Sequence, residues 1–590
     1  MKDRKDISSK YKWKVEKIYE NNKLWEKDYE KLDKESLKIK EYKGKLNSAE
    51  NIIKFLNLRE NILRLNEKLY VYANLKSDED TRNGEYQLVL QKISGKTAEI
   101  SGYLSYFVPE ILELSEEEYS NILKDKRLND YEFFLQDIRK MKSHILSKEK
   151  EEMLASMSDL LEAPSNIFGM LSHADLKFPK IKDENGEEVE ISESSYSKYI
   201  KSKDRRVREE AFNAIFGTYR NFKNTYATTL TSSVKNFVFN AKSRNYKSSL
   251  AASLEPNNIP LEVYENAVKT INENLDSLHR YVKIKKRLLN LEEIHMYDLY
   301  TPVVDLPKIH ISFEEGVNIA EKALNPLGVE YNKIFNKGIN NGWIDVYENK
   351  GKRSGAYSSG CYDTSPYVLL NYNEDINSIS TLAHEMGHSI HTYYSVLTQP
   401  YIYSDYTLFC AEVASTTNEN LLIKYLIENE KDDKRRLYLI NQELESIRTT
   451  VFRQIMFAEF ELFTHKSIEN NIPLNSESLS EFYFNLNKKY FGEDIIMDEE
   501  IAMEWARIPH FYRDFYVYQY ATGYSAAYSF SKMILNKEEG ALEKYFKFLK
   551  SGSSDYPINI LKAAGVDMTK EKPIKDTIDR FNELMDMLEK

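Results

Sequence analysis

The run His384-Glu385-Met386-Gly387-His388 sets two imidazoles four residues apart with a carboxylate beside the first. In a helix such positions share one face a turn apart, so both rings reach a single ion. Glu385 falls on the flank, placed to hold and deprotonate an attacking water rather than to ligate. This is the H-E-x-x-H arrangement that holds zinc and uses its glutamate as general base. His391 shares the same face, but seven residues rise about 10 Å along the axis, too far to meet the same ion. The spacing that would recruit a third histidine from this helix needs glycine at 391 and histidine at 394. The chain has His391 and Tyr394 there, so His391 is expected to support the site from behind or to serve the fold.

A catalytic zinc takes three protein ligands and keeps one position open, so the third ligand must lie elsewhere. "DYTLFCAEVASTTNENLLIKYL" reads as a helix in which Glu412 and Glu419 sit two turns apart on one side. Ala411, Val413 and Ala414 flank Glu412, and a carboxylate in such company needs a partner, for which a metal serves. Glu412 is therefore the expected third ligand, reached by a loop through Gln399-Pro400 and an antiparallel return. Glu419 then falls on the side of His384, able to accept that ring's other N–H and fix its tautomer. A solvent-facing charge is the equal alternative for Glu419.

The elements that must position these residues are helices. The chain has 590 residues, with only 20 Gly and 14 Pro, 42% hydrophobic and 30% charged residues. That length exceeds one core, and so few breakers favour long helices over sheets rich in turns. The expected fold is mainly α and multi-helical. From residue 10 to about 160, apolar residues such as Ile52, Phe55, Leu56, Leu63 and Leu65 recur near the helical repeat, and Pro109 marks a stop or bend. Asn185-Gly186 predicts a hairpin near 176–192 in which both central turn residues take positive φ. Further extended candidates are 296–310 and 340–372. From Ser378 onward the pattern is helical again.

Net charge is −11 with both signs interleaved. No basic stripe marks a nucleic-acid surface, and no run of about 18 apolar residues predicts a membrane span. Only Cys361 and Cys410 are present, which points to a reducing compartment. The N-terminus lacks a signal-like apolar core, so the cytoplasm is expected. Both thiols are read as small buried hydrophobes.

"HEMGHSIHTYY", "FCAEVASTTNENLL", "SGAYSSGCYDTSPYVLLNYN", "ARIPHFYRDFYVYQYATGYSAA" and the "FPKIKDENGEEVE" ribbon together resemble the thimet oligopeptidase family of zinc peptidases, specifically its oligopeptidase F branch. The likeness covers most of residues 170–580. It implies one zinc ion per chain on His384, His388 and Glu412, with Glu385 as base, and a two-lobed helical fold enclosing a deep channel. It implies cleavage inside short oligopeptides. The domain plan expected is an N-terminal helical region, 1–110, a helical region with the hairpin, 111–196, and the peptidase domain, 197–590. A monomer is expected, without nucleic-acid or membrane partners.

Tyr512, Tyr516, Tyr520, Tyr524 and Tyr528 recur every four residues, which on one helix makes a tyrosine ridge, usually a packing feature. In the family a Tyr–Asp–Ala–Gly–Tyr stretch faces the scissile bond. Here Tyr520-Ala521-Thr522-Gly523-Tyr524 matches it with alanine in place of aspartate, and Phe515 replaces a family histidine. His510, with Tyr520 or Tyr524, is the candidate oxyanion donor. The glycine-rich segment 355–362, with Gly355, Ala356, Tyr357 and Gly360, reads either as an edge strand pairing with substrate main chain or as an ordinary turn. Two other readings stand beside the endopeptidase. One is a carboxypeptidase or dipeptidyl carboxypeptidase that grips a free C-terminus through Arg353 or Arg513. The other is a peptide-binding scaffold with structural zinc.

Overall fold

The computed structural model describes residues 2–304 and 309–589. Helices dominate, and the described strands are two or three residues long. Five helices build or brace the region of the histidine motif: α1 (Asn22–Lys38), α2 (Ala49–Glu79), α3 (Gly84–Leu104), α4 (Ile376–Thr398) and α5 (Leu408–Asn429). The strands are β1 (Lys180–Lys182), β2 (Glu188–Glu190), β3 (Ile294–His295), β4 (Ile344–Asp345), β5 (Tyr357–Ser359), β6 (Tyr367–Leu369) and β7 (Ile495–Ile496).

The chain forms two compact units. The first comprises Met1–Lys142, Lys308–Tyr425 and Phe530–Val566; the second comprises Ser143–Pro307, Leu426–Ser529 and Asp567–Lys590.

In the first unit α1, α2 and α3 pack on one core that includes Trp25, Ile52, Phe55, Leu56 and Leu69. The Trp25 indole N–H, buried there, donates to the Leu69 carbonyl at 3.0 Å, as a buried indole must. Tyr367 and Leu369 of β6 join the same core. Sheet order is β4-β6-β5, parallel then antiparallel, so β5 has one unpaired edge. Pro109 lies in the first turn of a separate helix, Phe107–Glu113, which begins shortly after α3 ends, where proline costs no hydrogen bond.

In the second unit β1 and β2 make the expected antiparallel ribbon. Its turn differs from expectation: Gly186 has φ +81, but Asn185 is not left-handed. The loop spans 183–187, and Asp183 Oδ1 accepts the amides of Asn185 and Glu187, at 2.8 and 3.0 Å. An Asx-type side-chain acceptor replaces the two-residue turn. The extended candidate at 296–310 is also corrected: Met296–Asp298 is a helical turn after β3, and residues 305–308 lie outside the described residues. The tyrosine ridge is broken. Its helix begins only at Tyr518, Tyr512 closes an earlier 3-10 turn, and Phe515 between them is left-handed at φ 58. The Phe515 amide donates to buried Glu461 Oε1 at 2.6 Å, which holds that kink.

Candidate metal centre

The motif helix α4 starts where Asp375 accepts the Ser378 amide at 2.7 Å, an N-cap, and ends before Pro400, as residues preceding proline disfavour helix. α5 returns antiparallel beside it. Two features fix the crossing. A Cβ on Gly387 would lie 2.6 Å from Ser415 Cα and 2.9 Å from the Ala414 carbonyl oxygen, so only glycine allows the backbones so close. Asn418, fully buried, donates to the Ala383 carbonyl at 2.9 Å and accepts from the Tyr331 hydroxyl at 2.8 Å. Neither Gly387 nor Asn418 stands out in the sequence; a glycine inside the motif facing a small residue on the partner helix is the available signal.

This crossing brings His384, His388 and Glu412 together. His384 Nε2 and His388 Nε2 are 3.2 Å apart, and Glu412 Oε2 lies 3.4 and 3.5 Å from them. Donors about 2.0–2.1 Å from a tetrahedral ion stand roughly 3.3 Å from each other, so the three atoms fit such an ion. They are also the only cluster of three such residues among those described whose donor atoms converge this closely. Glu412 is not buried as its neighbours suggested: its side chain is 55% exposed and projects into a cleft, where Ser415 Oγ donates to Oε2 at 3.2 Å.

Electrostatics favour a cation. Hydrogen bonding to His388 draws the Glu412 carboxyl down to about 2 against its desolvation. Burial works to lower the His384 imidazole, but Glu419, Glu385 and Glu412 outweigh it and raise it to about 9. In this field His384 keeps a proton that an ion would displace. Glu419 Oε1 sits 3.4 Å from His384 Nδ1, which leaves Nε2 to the ion, and Ser380 Oγ donates to Glu419 at 3.5 Å. Glu385 is 7% exposed, and burial pushes its carboxyl up, partly offset by the two histidines. His391 does not join the cluster. Its ring stacks on Tyr406 at 3.8 Å, 4° from parallel, and touches Phe548.

The cleft, of about 1020 Å³, is lined by His384, Glu385, His388 and Glu412 together with Ala356, Tyr357 and Gly360. Tyr357 belongs to edge strand β5, and its hydroxyl donates to Asp78 Oδ2 at 2.7 Å. Ser358 Oγ lies 2.8 Å from Ser389 Oγ on α4, which ties the strand to the motif helix. Gly355 stands before the strand at φ +84, and Gly360 after it, where a Cβ would meet Pro366 Cα at 3.1 Å. Arg353 Nη1 is 3.5 Å from Asp78 Oδ2 and is not among the lining residues. Cys361 lines the cleft as a thiol pushed up by burial to about 11. In the second unit His510 Nε2 lies 3.2 Å from the Tyr520 hydroxyl, Tyr524 is buried, and burial, then Arg513 and Arg453, lower the His510 imidazole.

Comparison with known proteins agrees with this geometry. Residues 198–580 match Peptidase family M3, and residues 110–178 match the family described as Oligopeptidase F. Oligopeptidase PepF of Bacillus subtilis is 45% identical over 589 residues, covering all of this chain and 88% of the relative. Group B oligopeptidase PepB of Streptococcus agalactiae is 39% identical, covering 100% and 98%. The crystal structure of oligoendopeptidase-F from Enterococcus faecium superposes with a TM-score of 0.74 at 40% identity, over 96% of this chain and 98% of that one. With a helical fold, a His-His-Glu cluster suited to a divalent metal and these matches across its length, the chain is a metallo-oligopeptidase and belongs to Peptidase family M3.

Proposed function

We propose that the protein is a zinc endopeptidase that cuts within short peptides, with one zinc on His384, His388 and Glu412. The observation that carries this is the trio of donor atoms 3.2–3.5 Å apart beside an unligated, buried Glu385 in an open cleft. Two nitrogens and one oxygen form a usual catalytic zinc set. When bound, the ion acidifies an attacking water and polarises the scissile carbonyl. Glu385 takes the water's proton and delivers it to the leaving amine; its raised carboxyl suits both halves of that task. Glu419 holds His384 in the tautomer that presents Nε2. β5 offers its free edge to substrate main chain, which binds many sequences alike. Oxyanion stabilisation falls to Tyr520 or Tyr524, on the family resemblance, with His510 standing in for the family histidine that Phe515 replaces.

A structural zinc closes with four protein ligands, and the described residues converge only three, which supports an enzyme over a scaffold. Cys361 and Cys410 are free and buried, in keeping with a reducing compartment. No described helix is long and apolar enough to cross a membrane.

The test is digestion of a peptide blocked at both ends by wild type and Glu385→Gln, read by mass spectrometry. Internal cuts by wild type alone are expected. Cleavage confined to peptides with a free C-terminus would replace the endopeptidase with a carboxypeptidase.

A further inference from the structure

One face of α2 forms a wall of the metal cleft through Arg59, Leu63, Asn66, Glu67, Tyr70 and Val71, a stripe at helical spacing. Arg59 is the only Lys or Arg among the described lining residues. Its guanidinium lies over the Phe134 ring, 5.4 Å from the centroid, and has no carboxylate within ion-pair distance among the described residues. The nearby acids are engaged elsewhere. Glu60 takes Arg64 at 3.4 Å and the Tyr131 hydroxyl at 3.1 Å; Glu67 accepts from the Tyr401 hydroxyl at 2.5 Å. Burial lowers the Arg59 guanidinium from its ordinary value, outweighing the pull of Tyr401, Tyr131, Glu67 and Glu60, as expected of a desolvated cation without a close ion pair, and burial raises the Glu67 carboxyl.

Two contacts give the direction of the chain that runs past α2 toward this cation. Tyr357 meets Asp78 near the C-terminal end of α2, while Asp363 meets Arg64 at 2.6 Å. The chain from β5 onward therefore runs antiparallel to α2, and Arg59 lies beyond its far end. From Val71 to Arg59 the helix rises about 18 Å, which an extended peptide covers in roughly five or six residues.

We infer that Arg59 forms a carboxylate-binding subsite of the cleft, taking a carboxylate of the bound peptide substrate. The carboxylate is either the free C-terminus or an Asp or Glu side chain. Guanidinium presents a planar fork of N–H donors to it, which ammonium cannot copy. The inference rests on the peptidase reading of the same cleft and adds to it a preference for peptides that carry a carboxylate.

The test uses three peptides of one sequence: a free acid, its C-terminal amide, and an amide with glutamate as the last residue. Each is measured with wild type, Arg59→Lys and Arg59→Met, for kcat/KM and, by calorimetry, for binding. Wild type should prefer the free acid or the glutamate amide over the plain amide by about tenfold to a hundredfold; which of the two it prefers identifies the source of the carboxylate. Arg59→Met should bring the preference to about one, and Arg59→Lys should retain part of it. Thermal melts check that both variants fold, and the conservative lysine keeps the test readable if the methionine variant does not. A wild-type preference that survives in both variants, or no preference in wild type, overturns the subsite. Should no peptide be cut at all, the peptidase reading fails, while the binding ratios still decide Arg59.

Discussion

Gly387 packs its bare Cα against Ser415, so closely that an added Cβ would fall 2.6 Å from Ser415 Cα. The residue between the two motif histidines thus sets the distance from α4 to α5, and with it the reach of Glu412. Gly387→Ala should push the helices apart, at a cost of about 1–3 kcal/mol for an overpacked contact. The expected result is a lower melting temperature and weaker zinc retention on dialysis against chelator. Wild-type zinc retention in the variant would show that the crossing does not set the ligand spacing.

Glu385→Gln removes the base and leaves every proposed ligand in place. Zinc content by elemental analysis should match wild type, while kcat drops by about 10²–10⁴. Turnover near the wild-type rate would reassign the proton transfer.

Glu419→Gln weakens the acceptor facing His384 Nδ1, 3.4 Å away. Zinc affinity should fall by roughly 10–100-fold in competition with a chromogenic chelator, with activity recovering at high zinc. Unchanged affinity would make Glu419 a spectator.

His391 is fully buried and neutral; burial first, then His388, draws its imidazole down to about 3 from an ordinary 6.5. The unfolded chain therefore gains this proton first as pH falls. The stability contributed by neutral His391 is present above about pH 6.5 and is lost progressively toward pH 3. In His391→Phe, which keeps a ring to stack on Tyr406, melting temperature should fall less steeply across that window than in wild type. Parallel curves would show that His391 does not titrate on unfolding.

Tyr520→Phe and Tyr524→Phe separate the two candidate oxyanion donors. Loss of the true donor should lower kcat by about 10²–10³ with little change in KM, and the other variant should stay near wild type. Equal, small effects in both would return these hydroxyls to packing.

The motif helix is legible in the sequence because its chemistry is local: residues four apart share a face whatever surrounds them. Glu412 and Glu419 can be reached by a second step, since a loop at Gln399-Pro400 and an antiparallel return leave few registers. What escapes depends on contacts between distant segments. Asn418 looks like any polar helix residue until Tyr331 and the Ala383 carbonyl surround it. Arg59 sits in a helix with several other charged residues, where its charge has nothing to distinguish it, and only the folded wall of the cleft reveals which way it faces. The tyrosine ridge fails for the opposite reason: a regular spacing hides a left-handed residue at Phe515, whose kink depends on Glu461, a residue 54 positions away.

The brevity of β5 has a kinetic corollary. With substrate docked on β5 as proposed, a three-residue edge would supply very few main-chain hydrogen bonds, and weak grip shows itself mainly as fast dissociation. Fragments should therefore escape between cuts, so a long peptide would be trimmed distributively, with partly digested intermediates accumulating before final products.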